Sequence, residues 1–304
     1  MGLGAVTVKD NSVEMIPFKH ITLLGFGEVG QILAAPLGER GAVKIKAYDI
    51  DFAQDGSPQS QAARRLGVPI AASAADATDG ADLIVSAVTA GSAADAADAL
   101  LQSICPGTIF ADLNSVAPET KKAIATAAEQ AGARFVEVAV MAAFPPAGLR
   151  TPMLLGGPHA EELNSVFQAL GLNTTFYSAT VGRASSVKMC RSIMVKGLEA
   201  LALECMLTAR RYGVEQDVSN SLTDNFPGQD VPKFAGYLMS RALLHGRRRS
   251  EEMFEVAKTV QDVGLEARMS LPIAETQAWA AELGQALDRE LLEKPQLQAL
   301  LDVL

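Results

Sequence analysis

The chain has 304 residues, of which 49% are hydrophobic and 20% are charged, and its net charge is −9 with a pI near 5. This length and composition predict a globular protein of two ordinary domains with a large core. The negative charge argues against binding to nucleic acid, and even the densest basic run, residues 247–249, has Glu251 and Glu252 close behind it.

Short apolar segments alternate with helical ones between residues 18 and 180. Residues 1–17 are interpreted as an N-terminal tail, since they lack the apolar stretch of a secretory signal. Buried strands are predicted at residues 21–24, 43–48, 83–88, 109–112, 134–138, 153–155 and 174–178. The Ala-rich segments between them, such as 92–101 and 118–131, are predicted to be helices. This alternation predicts an α/β fold, a Rossmann-type doubly wound parallel sheet with right-handed crossovers.

The remainder, residues 181–304, is predicted to be an all-α domain. Apolar side chains recur three and four residues apart over residues 184–212 and indicate one helix roughly 43 Å long. They are Val187, Cys190, Met194, Leu198, Leu201 and Cys205. We expect this stripe to be packed, against a partner or between the domains, with Cys190 and Cys205 as small buried apolar residues.

Neither metal binding, nor a disulfide framework, nor a membrane span is expected. Cys105 makes the cysteine count odd, and the three histidines are scattered along the chain. No run approaches 18 apolar residues. These features favour a reducing cytoplasm as the location.

A glycine-rich loop follows the first predicted strand. Its sequence, Gly25-Phe26-Gly27-Glu28-Val29-Gly30, has the spacing G-x-G-x-x-G and opens a predicted helix. The first glycine permits a tight turn, the second lets the backbone approach a pyrophosphate, and the third lets the helix pack closely on the strand. In this context the loop predicts a dinucleotide site with the phosphates at the helix N-terminus.

The second predicted strand leads to Asp49, nineteen residues after Gly30. A carboxylate there can accept hydrogen bonds from an adenosine ribose, and it repels a 2′-phosphate. No arginine directly follows Asp49, as an NADP site would prefer. The sequence therefore predicts NAD as the cofactor, with NADP less favoured.

Two further segments carry a family resemblance. Residues 112–118 have the sequence Asp-Leu-Asn-Ser-Val-Ala-Pro, and residues 182–192 begin the long helix and contain Gly182 and Lys188. With the glycine loop, these segments resemble the β-hydroxyacid dehydrogenase family, which includes 3-hydroxyisobutyrate dehydrogenase and 6-phosphogluconate dehydrogenase. Its motifs D-x-S-T-x-x-P and G-x-x-x-x-x-K-x-x-x-N occur here in the same order with substitutions, so the chain looks like a divergent branch.

The resemblance implies roles around the cofactor. Lys188 corresponds to the catalytic lysine of the family. Val88 and Thr89, at the end of segment 83–88, correspond to residues that line the nicotinamide ribose. Ser115 corresponds to a residue near both the nicotinamide and the substrate.

The resemblance also implies a substrate site, in which this chain departs from the family. Asn114 replaces the usual serine beside Ser115. Ala142 and Ala143 replace two glycines whose N–H groups hold the substrate carboxylate, and Ser192 replaces a substrate-binding asparagine. Residues 142–146 are more apolar than usual, which favours a bulkier or less polar substrate.

The chemistry expected of Lys188 also follows from its position. Burial, the helix N-terminus and the like charge of Arg191 one turn away should each lower its pKa. A lysine near neutrality can accept a hydroxyl proton as hydride leaves the carbon. The sequence thus predicts an NAD-dependent dehydrogenase acting on a 3-hydroxy acid or related alcohol, and the family resemblance implies a homodimer or a higher even-numbered homo-oligomer.

Two alternatives stay open at this point. One is an imine or ketone reductase on the same fold, which Lys188 disfavours because such relatives often lack the lysine. The other is an NAD-binding sensor without chemistry, which the fold alone does not exclude. It would bind the nucleotide without turnover.

Overall fold

The structure, a computed structural model, describes residues 18–39, 43–54 and 56–304, so the expected N-terminal tail lies outside the described residues. Within these residues seven strands form one sheet, in the order β2-β1-β3-β4-β5-β6-β7. They are β1 His20–Leu24, β2 Lys44–Tyr48, β3 Leu83–Ser86, β4 Ile109–Asp112, β5 Arg134–Val140, β6 Met153–Gly156 and β7 Thr174–Ser178.

Helices cover both faces of this sheet. They are α1 Glu28–Gly38, α2 Pro58–Leu66, α3 Ala74–Thr78, α4 Ala93–Leu101, α5 Pro118–Gln130 and α6 Ala160–Ala169. Leu83 and Val85 pack with α1, α2 and α6, while Ile84 packs with α4 and α5 on the other face. Because successive side chains point to opposite faces, a strand covered on both sides is a continuous apolar run. The predicted doubly wound fold is confirmed.

One strand departs from the predicted parallel sheet. Neighbours among β1–β5 pair in parallel, but β6 runs antiparallel to β5. The connection, residues 141–152, contains only the short 3-10 turn Gly148–Arg150. A parallel return needs a crossover of a dozen or more residues, usually a helix. Such a crossover, α6, lies between β6 and β7, which are parallel.

The second half of the described chain is helical. It contains α7 Arg183–Tyr212, α8 Glu215–Leu222, α9 Val231–Asp262, α10 Ser270–Gly284, α11 Arg289–Glu293 and α12 Leu297–Val303. The predicted long helix is present as α7, whose 30 residues give it a length of about 45 Å. The predicted division at residues 180 and 181 falls in the connection between β7 and α7. Among the described helices, none is both long and apolar enough to cross a bilayer.

The apolar stripe predicted on α7 is largely exposed in the single chain. Met194 is 65% exposed and Leu201 is 58% exposed. Cys190 and Cys205 are exposed as well, so the expectation that they are buried within the chain was wrong. The buried face of α7 carries other apolar residues, namely Met189, Ala200, Leu203, Met206 and Ala209. Two faces of this helix carry apolar residues, and the sequence periodicity did not identify the face that packs within the chain.

Candidate active site

Apart from Lys188 and Ser192, which lie on α7, the residues predicted to form the site follow the carboxyl ends of five neighbouring strands. Because β1–β5 are parallel, these ends share one edge of the sheet, where open α/β folds bind ligands. The groups are residues 25–30 after β1, Asp49 after β2, Val88 and Thr89 after β3, Asn114 and Ser115 after β4, and Ala142 and Ala143 after β5. The predicted strand 83–88 was two residues too long, so Val88 and Thr89 lie in the loop that follows it.

The glycine loop has the geometry of a dinucleotide cradle. Gly25 has a φ of +91°, and a Cβ there would lie 2.5 Å from the carbonyl oxygen of Ala87. A Cβ on Gly30 would lie 2.3 Å from the carbonyl oxygen of Gly25, whereas one on Gly27 would meet nothing within 4 Å. Gly27 caps α1 without a side-chain hydrogen bond, which leaves the first N–H groups of the helix free for an anion. These features fit a dinucleotide pyrophosphate.

Asp49 links the second strand to the glycine loop. Its Oδ2 accepts a hydrogen bond from the N–H of Phe26 at 2.6 Å, and its Oδ1 accepts one from the N–H of Asp51 at 2.9 Å. The Phe26 ring is buried and packs on Phe52, with 5.9 Å between ring centroids. Each oxygen of Asp49 keeps a lone pair, so this carboxylate can hold the loop and still accept a ribose hydroxyl.

The long helix brings Lys188 to the loop after β4. The Nζ of Lys188 donates a hydrogen bond to the Oγ of Ser115 at 2.5 Å, across 73 positions of sequence. Burial lowers the pKa of Lys188 to about 7, although the carboxylate of Glu252 opposes this effect. Three neighbouring cations add to the lowering: Lys196, Lys121 and Arg248. A lysine with this pKa can exchange a proton at neutral pH.

The like charges near Lys188 differ from the one expected. Arg191 is exposed and is not among the charges that lower the pKa of Lys188. Ser192 and Lys196, four and eight residues after Lys188, lie on the same face of α7 as Lys188 does. Burial was thus predicted correctly as a cause of the lowered pKa of Lys188, but the prediction that Arg191 supplies the like charge was wrong.

Glu137, which the sequence analysis missed, fixes the start of α7. Its Oε1 accepts hydrogen bonds from the N–H groups of Gly182 at 2.9 Å and Ala184 at 3.0 Å, and its Oε2 accepts one from the Oγ of Ser185 at 2.9 Å. A buried carboxylate at a helix N-terminus satisfies free N–H groups and is favoured by the helix dipole. Lys188 lies in the next turn, so Glu137 is a positioning residue. The available signal was a glutamate within the apolar strand β5.

Asn114 ties together the loops after β3 and β4. Its Oδ1 accepts a hydrogen bond from the N–H of Val88 at 2.7 Å, and its Nδ2 donates one to the Oγ of Ser86 at 2.8 Å. Its own N–H donates to the Oδ1 of Asp112 at 2.9 Å. Asn114 is buried, and its side-chain amide is engaged at both ends. These contacts give it a positioning role, and direct contact with substrate stays a prediction.

The loop after β5 offers free backbone donors. Ala142 and Ala143 are exposed, and neither N–H has an acceptor among the described residues. The buried hydroxyl of Thr151 donates to the carbonyl oxygens of Ala143 at 3.5 Å and Phe144 at 3.4 Å. The loop is therefore held by its carbonyl groups, while two N–H groups at the sheet edge are available to a carboxylate.

A charged network lies beside Lys188 and joins α7 to α9. Ser192 is buried, and its Oγ accepts a hydrogen bond from the Nζ of Lys196 at 3.1 Å. Lys196 pairs with Glu252 of α9 at 2.8 Å, and Glu252 also pairs with Arg248 at 2.5 Å. Burial acts to raise the pKa of Glu252, but the surrounding cations outweigh it and lower the pKa to about 2. Of this network only Ser192 was predicted from the sequence, although polar residues recur every four positions on α7.

Comparison with known proteins matches the two halves of the chain to separate families. Residues 20–179 match the family model of the NAD binding domain of 6-phosphogluconate dehydrogenase. Residues 209–280 match a domain of unknown function, DUF1932.

Individual relatives extend these matches over most of the chain. A conserved hypothetical protein from Sinorhizobium meliloti is 36% identical, with a TM-score of 0.72, over 94% of this chain and 95% of that one. A solved protein described as similar to 3-hydroxyacid dehydrogenases is 29% identical, with a TM-score of 0.65, over 87% of this chain and 99% of that one. The NAD-dependent L-serine dehydrogenase of Pseudomonas aeruginosa is 28% identical over 66% of this chain and 67% of that protein. An imine reductase from Streptomyces aurantiacus shares the fold, with 16% identity and a TM-score of 0.53 over 93% of this chain and 99% of that one.

Proposed function

Because this chain belongs to the β-hydroxyacid dehydrogenase family and has an NAD(P)-binding domain, we propose that it transfers a hydride between NAD and the hydroxyl-bearing carbon of a 3-hydroxy acid or related alcohol. The observation that carries this proposal is the hydrogen bond from Lys188 to Ser115 at 2.5 Å. It joins a lysine of the helical half to the sheet edge that also holds the glycine cradle. An acid/base group and a cofactor site therefore share one edge.

Lys188 moves the proton in this proposal. Bound at the glycine cradle, NAD supplies the hydride acceptor. Because burial lowers its pKa to about 7, Lys188 is partly neutral at pH 7, and its Nζ accepts the hydroxyl proton as the substrate carbon loses hydride. In the opposite direction its ammonium group returns that proton. Ser115, held by Lys188, lies beside the same proton path.

The remaining groups orient the substrate. The free N–H groups of Ala142 and Ala143 hold its carboxylate, because oriented backbone donors bind anions well. Ser192, one turn after Lys188 on the same face, orients the hydroxyl-bearing carbon. Asn114 and Glu137 act indirectly, by fixing the loop and the helix that carry these groups.

Replacing Ser192 with alanine should raise KM more than it lowers kcat, because this position orients substrate and does not transfer the proton. Steady-state kinetics on the preferred substrate measures both constants. Ser165→Ala, which makes the same change at an exposed position of α6, is the matched control and should change neither. A large fall in kcat with KM unchanged would place Ser192 in the chemical step and contradict this role.

A substrate screen tests the function itself. Purified wild type and Lys188→Ala are assayed with NAD against a panel of 3-hydroxy acids and simple alcohols and with NADH against cyclic imines, with NADH absorbance as the readout, and NAD binding is measured by calorimetry. We expect at least one 3-hydroxy acid to be oxidised in a Lys188-dependent way. Reduction of cyclic imines that does not depend on Lys188 would favour the imine reductase alternative. Micromolar NAD binding with no turnover in any arm would favour the sensor.

We also propose that the protein is a homodimer or a higher even-numbered homo-oligomer. Met194 and Leu201 are exposed on one face of α7, together with Cys190 and Cys205. Exposed apolar side chains grouped on one helix face are typical of an interaction surface. A second copy presents the same face, so one symmetric contact covers both.

Light scattering should therefore give an even multiple of the 31.9 kDa chain mass at micromolar concentration. The double change Met194→Glu and Leu201→Glu should shift the protein toward monomer, because charges would be buried without partners. The matched change Met194→Leu and Leu201→Met keeps the face apolar and should leave the assembly intact. A wild-type monomer would refute the proposal.

A further inference from the structure

A buried line of hydrogen bonds leads from α9 to the face of α7 that carries Lys188. The Oε2 of Glu252 pairs with the Nζ of Lys196 at 2.8 Å, and the same Nζ donates a hydrogen bond to the Oγ of Ser192 at 3.1 Å. Ser192 and Lys196 are each 6% exposed, and Glu252 is 8% exposed. We call Glu252, Lys196 and Ser192 the Ser192 network. It ends one helical turn from Lys188.

Charge fixes the direction of each hydrogen bond in the Ser192 network. Burial acts to raise the pKa of Glu252, but Lys196 and Arg248 outweigh it and lower the pKa to about 2. Glu252 is therefore a carboxylate at neutral pH. The ammonium group of Lys196, which is paired with this carboxylate, has no lone pair and can only donate. Because Ser192 accepts from Lys196, the hydroxyl hydrogen of Ser192 remains for another acceptor.

That hydroxyl hydrogen has no acceptor among the described residues. A serine or threonine inside a helix can donate to the carbonyl oxygen one turn earlier. Ser186, Thr126 and Thr259 do so, at 2.6, 2.9 and 2.9 Å. Ser192 makes no such bond to the backbone of α7. Its hydroxyl hydrogen is thus available to a ligand.

The Ser192 network lies beside the proposed reaction centre. The Nζ of Lys188 contacts Ser115 at 2.5 Å, which places this part of α7 at the loop after β4. Burial lowers the pKa of Lys188 most, and the next largest effects come from Glu252, which raises it, and Lys196, which lowers it. Residues one turn apart on a helix face have Cβ atoms about 5–6 Å apart. A substrate oxygen that meets Lys188 is therefore close to Ser192.

We propose that the Ser192 hydroxyl donates a hydrogen bond to the oxygen on the hydroxyl-bearing carbon of the substrate, and that Lys196 is the positioning residue that holds this hydroxyl as a donor. This inference rests on the proposed function and adds a determinant of specificity to it. An alcohol or carbonyl oxygen has lone pairs that accept such a bond. The nitrogen of a protonated imine has none, so the Ser192 network favours alcohols and carbonyls over imines.

Lys196→Met tests the inference in two backgrounds. Oxidation of the preferred 3-hydroxy acid is measured at a pH well above 7, where Lys188 is neutral whether or not Lys196 is present. In the wild-type background Lys196→Met should raise KM by about fivefold or more, which corresponds to one hydrogen bond of ordinary strength, and should change kcat less. In the Ser192→Asn background it should leave KM nearly unchanged, because an asparagine amide donates without the help of a lysine.

Controls separate this role from structural support. Lys233→Met, at an exposed position of α9, should change neither constant in either background. In Lys196→Met the buried Glu252 keeps Arg248 as its partner at 2.5 Å, which favours folding. If the variant still fails to fold, the paired change Lys196→Met and Glu252→Leu replaces the ion pair by apolar side chains, which proteins often tolerate, and should raise KM equally. An equal rise of KM in both backgrounds, or no rise in either, would overturn the inference.

Calorimetry with two unreactive ligands separates this inference from the proposed function. 3-Methoxypropionate and pentanoate have the same length, but only the first has an acceptor oxygen on its third carbon, and neither has a hydroxyl group. Binding of each to the protein with NAD is measured in the wild type, Ser192→Ala and Lys196→Met.

The two ideas then fail in different ways. If no hydroxy acid turns over, but 3-methoxypropionate binds about fivefold more tightly than pentanoate and both variants remove this difference, the inference stands and the proposed reaction fails. If a 3-hydroxy acid is oxidised in a Lys188-dependent way, while the two ligands bind equally to the wild type, the inference fails alone.

Discussion

Replacing Lys188 with alanine should lower kcat by about 10²–10⁴-fold, the usual contribution of a general acid or base. NAD affinity should barely change, because the proposed pyrophosphate site is formed by the glycine loop and α1, which do not include Lys188. Lys188→Arg should be nearly as damaging, since a guanidinium group does not give up its proton at useful pH. Lys233→Ala, which removes an exposed lysine of α9, is the control and should retain wild-type kinetics.

The pH profile of the wild type should report the same group. The neutral amine is the active base for oxidation, so kcat/KM should rise with pH through about 7, the pKa to which burial lowers Lys188, and then level off. Reduction needs the ammonium form of Lys188, so kcat/KM for reduction should fall as the pH rises through about 7. Both limbs should be absent from the residual activity of Lys188→Ala. If Lys188→Ala kept the same pH dependence as the wild type, the titrating group would be a residue other than Lys188.

The ratio of kcat/KM for NAD to that for NADP should be about 10²-fold or more. In the proposed cofactor site Asp49 faces the adenosine ribose, and a 2′-phosphate there would be a second close anion, which is repelled strongly when partly desolvated. Asp49→Asn should lower the ratio of kcat/KM for NAD to that for NADP. It should also weaken NAD binding, because one amide oxygen replaces the two that accept from Phe26 and Asp51 at 2.6 and 2.9 Å.

Asp51→Asn is the matched control for cofactor choice. Asp51 lies two residues further on, and its Oδ2 accepts a hydrogen bond from the Nε2 of Gln59 at 2.6 Å. This change removes a charge of the same sign from the same loop and should leave the ratio near the wild-type value. A wild-type preference for NADP would refute the role given to Asp49.

The features that depend on short-range sequence patterns could be predicted from the sequence. The glycine loop, the seven strands and α7 each follow from the period of apolar residues or from a motif. Lys188 and Ser115, which are 73 positions apart, were assigned to one site only because two motifs of one family were recognised together. The glycine loop and Lys188 could therefore be named as candidate site residues before the structure, and the acid/base role of Lys188 stays a prediction.

The features that depend on contacts between elements distant in sequence could not be predicted from the sequence. Glu137 contacts the start of α7 across 45 positions, and Glu255 contacts Ala117 across 138 positions. In sequence these glutamates resemble any others. The network of Lys196, Glu252 and Arg248 could not be predicted for the same reason. Helix periodicity shows that polar residues of α9 share a face, but it does not show which helix that face contacts. The exposure of Leu201 on α7 likewise depends on where α9 and α10 pack.

Chemical rescue of Lys188→Ala tests the general acid/base role of Lys188 most directly. The substitution leaves a space where the Nζ of Lys188 stood, beside Ser115, and a small primary amine such as methylamine can occupy it. If Lys188 accepts the hydroxyl proton, added amines should restore oxidation in a saturable way, and among amines of similar size the rate should increase with basicity. The contrary result is full activity of Lys188→Ala without amine, or no response to any amine in a variant that still folds and binds NAD. Either would show that Lys188 is not the group that moves the proton.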